Sequence, residues 1–122
     1  MMDLQMLNKK FVICQVEDFR NINFEEDYMF TAKTEEEYSI ICPEEIAPKE
    51  CIKIEYGWKC FRIAEDAAFE KYGMIAFLAD IIAKQETGIL VVATFDTDYI
   101  LIKEEKMEQV KNALIEAGCQ FI

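Results

Sequence analysis

The feature that most constrains the fold is the order of hydrophobic patterns in the second half of the chain. Trp58–Ile63 alternates apolar and charged residues, as expected of a half-buried strand. Residues 72–84 form an apolar segment containing Ala, Leu and Met, which is too long for a typical strand and predicts a helix. Ile89–Phe95 is a continuous, largely β-branched run, which predicts a central strand buried on both faces.

The rest of this half completes the order of elements. Tyr99–Ile102 resumes a strand after turn-forming residues at 96–98, so the two strands are predicted to form a hairpin. Lys103–Ala117 places apolar residues at three- and four-residue spacing between charges, which predicts an amphipathic helix. Cys119–Ile122, after a capping Gly118, is long enough only for an edge strand. The order predicts an α+β unit of the ferredoxin-like βαββαβ type, an antiparallel sheet with both helices on one face.

The helix predicted at residues 72–84 is apolar around most of its circumference. Such a helix must be covered on two sides, by its own sheet and by a second surface. That second surface is either another part of this chain or another subunit, and the two alternatives are compatible. Thr87-Gly88 is expected to end the helix, because Gly tolerates a left-handed C-cap.

The first half of the chain has strand patterns but weak helix patterns. Strands are predicted at Phe11–Val16, Tyr28–Ala32 and Tyr38–Cys42. Thr34–Glu37 suits one helical turn, since Thr is an acceptable N-cap and acidic residues are favoured at a helix N-terminus. With the division placed near Lys53, we expect two units, at residues 1–53 and 54–122.

Composition argues against several functions. The 122 residues include 24 Asp+Glu against 13 Lys+Arg, a net charge of -11, and binding to nucleic acid or an anionic membrane depends on clustered Lys and Arg. The absence of histidine removes the commonest general base and zinc ligand. The four glycines form no phosphate-binding loop. We therefore expect no enzyme activity, no cofactor and no bound metal.

Five cysteines are spread along the chain, at Cys14, Cys42, Cys51, Cys60 and Cys119. Their spacing matches neither a zinc knuckle nor a redox C-x-x-C motif, and we expect free thiols that pack as small hydrophobic residues. The N-terminus has no signal-peptide apolar region, and no apolar span is long enough to cross a membrane. These features predict a reduced, cytoplasmic protein.

Several stretches of the sequence resemble a known family. Residues 94–105, TFDTDYILIKEE, resemble the STFDTDYILV-E signature of bacterial ACT-domain proteins. These are small tandem-ACT proteins related to the ACT domains of the animal arginine sensors called CASTOR. Residues 30–44, the tripeptide Gly57-Trp58-Lys59 and the pattern Phe69-x-x-x-Gly73 fit the same family.

The resemblance implies two ACT-like units of the ferredoxin-like type, the first abbreviated, that act as a ligand-sensing module. ACT domains are similar in binding amino acids at interfaces between units, where the start of the first helix meets a neighbouring unit. Carried over to this sequence, the implied ligand-binding residues lie at that helix start and in the following hairpin. They are Phe69, Gly73, Met74, Ile75, Thr94, Phe95, Asp96 and Asp98.

The chemistry of these residues suits a zwitterionic ligand. Glycine at the helix start, Gly73, lets a carboxylate approach the free backbone N–H groups, which the helix dipole also favours. Asp96 or Asp98 can then pair with an α-amino group. Two other interpretations stay open: Gly73 also suits close packing of the helix on the sheet, and the Asp pair also suits a turn whose side chains bond to their own backbone.

We therefore expect a non-enzymatic regulatory module that binds a small amino acid or similar ligand and forms a homodimer, the usual closed assembly. The alternative is an oligomeric interaction or scaffold protein that keeps the fold and binds no ligand.

Overall fold

The computed structural model describes residues 2–64 and 72–122. The strands in this part of the chain are β1 (Asp3–Val16), β2 (Phe30–Lys33), β3 (Tyr38–Pro43), β4 (Lys53–Ile63), β5 (Leu90–Ala93), β6 (Asp98–Lys103) and β7 (Gln120–Phe121). The helices are α1 (Met74–Ala83) and α2 (Glu104–Glu116), and a short 3₁₀ helix spans Glu44–Ile46.

The chain divides into two units, and β1 and β4 contribute residues to both. The C-terminal unit consists of Met1–Asn8 together with Lys59–Ile122, and the N-terminal unit of Lys9–Trp58. The division expected from the sequence, near Lys53, differs in leaving the first eight residues with the N-terminal unit. These eight residues belong to the C-terminal unit because they pair with a strand that is distant in the sequence. No local pattern in the sequence reveals such pairing.

The C-terminal unit has the predicted order of elements, β4-α1-β5-β6-α2-β7. Its strands lie side by side in the order β7-β1-β4-β6-β5. The start of β1 pairs in parallel with β7, with Leu4 opposite Phe121, and the Ala64 N–H donates to the Asp3 carbonyl at 2.9 Å. An N-terminal strand is thus inserted between the first and last strands of the βαββαβ unit. Sequence reasoning missed it, because it began β1 only at Phe11.

The core of the C-terminal unit is formed by both helices and the sheet. The buried side chains at its centre are Leu4, Phe61, Leu78, Ile82, Ile100, Ile102, Val110 and Leu114. Each helix contributes one stripe at three- and four-residue spacing, which for α1 is Met74, Leu78 and Ile82. Full burial of one such aliphatic side chain contributes about 1.5–3 kcal/mol.

The opposite face of α1 is not covered by the described residues. Phe77 is 41% exposed, and Ala76 and Ala83 are also exposed. The expectation that this helix is covered on two sides is therefore met on one side only.

Two further predictions for this unit are wrong. β5 is not a buried central strand: it ends the strand order, and Val91 is 41% exposed. A run of β-branched residues fits an edge strand as well as a central one, so the sequence could not decide between them. The left-handed residue after α1 is Glu86, at φ 59°, whereas Gly88 has no positive φ.

In the N-terminal unit the strands lie in the order β2-β3-β1-β4. The buried residues Val12, Cys14, Val16, Ile40 and Cys42 form its core. Residues 17–29, which join β1 to β2, contain turns and no helix.

An aromatic cluster anchors this connection. Phe19 packs edge-on against Phe24 and Tyr38, with ring centroids 5.7 and 5.0 Å apart. The side chains of one aromatic cluster therefore hold a connection that lacks regular secondary structure.

The two hairpins of the chain repeat each other at a spacing of 60 residues. In β2–β3, Phe30 pairs with Ile41. In β5–β6, Leu90 pairs with Leu101, and each of these residues lies 60 positions after its counterpart. The strand lengths also agree, at four and six residues in both hairpins.

The hairpin turns repeat as well. The Thr34 N–H donates to the Glu37 carbonyl at 2.9 Å, and the Thr94 N–H donates to the Thr97 carbonyl at 2.8 Å. The helical turn expected at Thr34–Glu37 is therefore a hairpin turn. The hydroxyl of Thr34 accepts hydrogen bonds from backbone N–H groups, as the side chain of a helix N-cap would. Here these bonds close a turn between two strands.

Candidate functional site

The first helix of the C-terminal unit begins at a glycine in a left-handed conformation. Gly73 has φ 80° and ψ -3°, and its carbonyl accepts a hydrogen bond from the Phe77 N–H at 2.9 Å. A Cβ atom at this position would meet no described atom within 4 Å. The glycine is therefore required by its backbone angle and not by close packing against the described residues.

Because Gly73 has no side chain, this N-cap residue itself supplies no side-chain cap to the start of α1. The first backbone N–H groups of an α-helix have no partner within the helix, and they attract anions together with the helix dipole. The start of α1 therefore has the chemistry to receive a carboxylate.

The β5–β6 turn is closed by threonine. The Thr94 hydroxyl donates to the Thr97 carbonyl at 2.9 Å, in addition to the backbone bond between the same residues. Phe95 is 94% exposed, Asp96 is exposed and Asp98 is half-buried. Because Thr94 forms the bonds that close the turn, the carboxylates of Asp96 and Asp98 are available for another role.

The path of the chain places these two features at one end of the C-terminal unit. β4 ends at Ile63, α1 begins after Gly73, and β5 returns so that its turn follows Ala93. A strand, an antiparallel helix and a second strand parallel to the first bring the helix start and the β5–β6 turn to the same end. This order of elements is the reason to expect the two predicted parts of the site at the same end of the unit.

Individual predicted residues differ in what they offer at this end. The Met74 side chain is buried in the core of the unit, so only its backbone can face a ligand. Ile75 is half-buried and packs against the same core. Phe69 lies outside the described residues.

A cavity of about 340 Å³ lies in the N-terminal unit, beside the turn of the β2–β3 hairpin and the end of β1. Its walls are formed by Gln15, Val16, Glu17, Lys33, Thr34, Glu35, Glu36, Glu37, Tyr38 and Ile52. Four glutamates face one lysine, whose Nζ lies 5.1 Å from the Tyr38 ring centroid. This negative lining favours cations over carboxylates.

Sequence reasoning did not mark this cavity. Consecutive glutamates such as Glu35–Glu37 are most often solvated surface residues. The 60-residue repeat is the signal that could have found it, since this hairpin turn corresponds to the one at Thr94–Thr97.

A metal site and a membrane-spanning helix each set structural requirements for the described ranges. Residues 2–64 and 72–122 contain no group of three or more carboxylate or thiol side chains placed to hold a metal ion. Across the same ranges, each helix is too short or too polar to cross a membrane.

Comparison with known proteins identifies the family. The profile of the ACT domain family matches residues 53–116, which is more than half of the chain. The chain therefore belongs to the ACT domain family. None of the curated proteins matches it.

Solved structures share the fold over almost the whole chain. Protein Atu0741 from Agrobacterium tumefaciens is similar with a TM-score of 0.86 at 25% identity, covering 99% of this chain and 92% of that one. VC0802 from Vibrio cholerae, a protein of unknown function described as a possible transport protein, has a TM-score of 0.72 at 20% identity and coverages of 94% and 88%. The ligand-free regulatory subunit of aspartate kinase from Thermus thermophilus has a TM-score of 0.61 at 11% identity, with 94% of each chain covered.

Proposed function

We propose that this protein is a non-enzymatic regulatory module that binds a small amino acid at the end of the C-terminal unit where α1 begins. Membership of the ACT domain family and the fold shared with a regulatory subunit of aspartate kinase support a regulatory, ligand-binding role. The observation that carries the proposal is the left-handed Gly73, which begins α1 without a side chain of its own to cap the helix.

The proposed ligand contacts follow from charge. The α-carboxylate accepts hydrogen bonds from the first N–H groups of α1, next to Gly73. The α-amino group pairs with Asp98 or Asp96, whose carboxylates are not needed to close the turn. Together the carboxylate-binding and amino-binding groups select a zwitterion. The remaining predicted contacts come from Phe69, Ile75, Thr94 and Phe95.

The chain is proposed to contain two ACT-like sequence repeats, at residues 1–53 and 54–122, with the first abbreviated and its first eight residues belonging to the C-terminal structural unit. The repeat of hairpin length, register and turn at 60 residues supports two copies of one ancestral unit. The copies differ after the hairpin, where a three-residue 3₁₀ helix stands in place of the 13-residue α2. A relationship to the CASTOR sensors and a cytoplasmic location belong to the same proposal.

A homodimer formed through the edge of β5 completes the proposal. Along β5, the backbone N–H and C=O groups of successive residues alternately face β6 and face away from it. Because Thr94 bonds to Thr97, the backbone groups of Val91 and Ala93 point away from β6. Ile89–Phe95 contains no charged residue, which leaves this edge without the usual protection against strand pairing. Pairing of β5 with β5 of a second copy is antiparallel and symmetric, and it places like, uncharged residues together.

A thermal-shift screen of the twenty amino acids tests the proposed function. Ligand at about 100 times its dissociation constant adds about 2.7 kcal/mol to the free energy of unfolding, which raises the melting temperature by several degrees for a chain of this size. We expect one amino acid, or a small related group, to give this shift.

Variants then locate the binding site. Asp98→Asn keeps the shape and removes the charge, so the ligand-induced shift should shrink while the melting temperature without ligand stays almost unchanged. Glu36→Gln removes a carboxylate from the other hairpin turn, at the position that corresponds to Asp96, and should leave the shift intact. If no amino acid stabilises the protein and Asp98→Asn lowers its stability without ligand, the scaffold alternative is correct.

A further inference from the structure

Three of the five cysteines gather in the core of the N-terminal unit. β1 and β3 pair so that Val12 lies opposite Cys42. Cys14 lies two residues from Val12 on the same face of β1, which makes Cys14 and Cys42 diagonal neighbours across the two strands. Both are buried.

The third cysteine approaches Cys14 from the other side. The Ile52 N–H donates to the Gln15 carbonyl at 2.8 Å, which fixes the segment before β4 alongside β1. Cys51 precedes this contact and packs against the cluster that contains Cys14. Cys14, Cys42 and Cys51 therefore lie in one buried cluster, with Cys14 between the other two.

The two neighbours of Cys14 differ in access and in freedom to move. Cys42 is completely buried and held in the β3 ladder. Cys51 is half-buried in a segment without regular structure, where its thiol donates to the Pro48 carbonyl at 3.4 Å. A small oxidant therefore reaches Cys51 first, and the segment around it can adjust to the geometry of a disulfide.

We propose that Cys14 and Cys51 form an intramolecular disulfide when hydrogen peroxide oxidises this protein. The Cys51 thiol attacks the peroxide oxygen, the O–O bond breaks, and Cys51 sulfenic acid and one water form. The Cys14 thiol then attacks the Cys51 sulfur. The S–S bond forms as the S–O bond breaks, and the leaving hydroxide takes the thiol proton to give a second water. The two thiols lose two electrons and the peroxide gains them.

Two properties of the cluster bear on this reaction. Burial raises the pKa of the Cys51 thiol to about 11, so the reactive thiolate is scarce at neutral pH and the oxidation is slow. Gln15 and Ile52, the chain neighbours of the two cysteines, line the cavity beside the β2–β3 turn. The disulfide therefore fixes one wall of that cavity.

Peptide mapping of the full-length protein tests the proposal directly. Trypsin cleaves after Lys and Arg, so each cysteine falls in its own peptide, with Cys14 in Phe11–Arg20 and Cys51 in Glu50–Lys53. After treatment with hydrogen peroxide and blocking of free thiols, we expect these two peptides to be joined and the other three cysteines to carry the blocking group. Five blocked thiols, or a link from either peptide to Thr34–Lys49, which contains Cys42, would overturn the proposal.

Variants separate this pairing from general oxidation. Cys51→Ser, at a half-buried position, should abolish the linked peptides and leave the circular dichroism spectrum unchanged. Cys119→Ala, in the C-terminal unit, is the control and should keep the link. Persistence of the loss of two thiols in Cys51→Ser would contradict the assignment.

Discussion

The β2–β3 and β5–β6 hairpins have the same lengths, register and turn closure, yet their surroundings differ. The first is followed by a three-residue 3₁₀ helix and packs on a cluster of five buried residues in the described part of the chain. The second lies in a unit with two α-helices and twelve residues in its buried cluster. Local turn chemistry therefore determines the hairpin, whereas the helices determine how large a core it supports.

The edges of the hairpins also differ. The backbone groups of Thr31 and Lys33 point outward from β2, as those of Val91 and Ala93 do from β5. Lys33 places a charge on the first edge, and the second edge has none. A charged edge resists strand pairing, so the comparison indicates β5 as the edge used for association.

Equivalent core substitutions should give the largest difference in stability loss between the two hairpins. Ile40 and Ile100 are 60 residues apart and both completely buried. Ile→Ala in a core costs about 2–5 kcal/mol. We expect Ile100→Ala to lie near the upper end of this range and Ile40→Ala near the lower end, because Ile100 belongs to the larger cluster. Urea denaturation measures the loss of unfolding free energy in both variants. An equal or reversed order would contradict the larger contribution expected from the C-terminal core.

A charge on the edge of β5 should weaken the dimer. Val91→Lys gives β5 a charge like the one that β2 carries, and like charges then face each other across a symmetric strand pair. We expect the dissociation constant to rise at least about tenfold, or about 1.4 kcal/mol, in sedimentation velocity. Thr31→Lys is the matched control in the other hairpin and should leave the dissociation constant unchanged. A dimer that tolerates Val91→Lys does not use this edge.

Substitution of the turn threonines should give the smallest difference in stability loss between the two hairpins. The Thr34 hydroxyl accepts from the N–H groups of Glu36 and Glu37, at 3.1 and 3.2 Å, whereas the Thr94 hydroxyl makes one bond to the Thr97 carbonyl. We expect Thr34→Ala to cost about 1 kcal/mol and Thr94→Ala about half as much. Thr→Ser keeps each hydroxyl and should recover most of the loss in thermal denaturation. A larger loss at Thr94 would mean that the two turns are not stabilised alike.

The sequence predicted what depends on local patterns. The spacing of Met107, Val110 and Leu114 identified the face of α2 that is buried, and the Asp-Thr-Asp turn separated β5 from β6. These features depend on residues close together in the chain, so periodicity and turn chemistry are enough to find them.

What the sequence did not predict depends on distant residues. Leu4 is buried because β7 pairs with the start of β1, more than a hundred residues away. The position of β5 at an edge depends on which strands pair, and the contact of Cys14 with Cys42 and Cys51 depends on strand register. The family resemblance supplied the residues of the proposed ligand site, and the structure adds the left-handed backbone of Gly73.

Amide chemical shifts recorded during titration with the stabilising amino acid show where the ligand binds. We expect the largest shifts at Gly73–Ile75 and Thr94–Asp98, while the equivalent turn at Thr34–Glu37 is unaffected. Shifts centred on Thr34–Glu37 would move the ligand to the cavity of the N-terminal unit and contradict the proposed site.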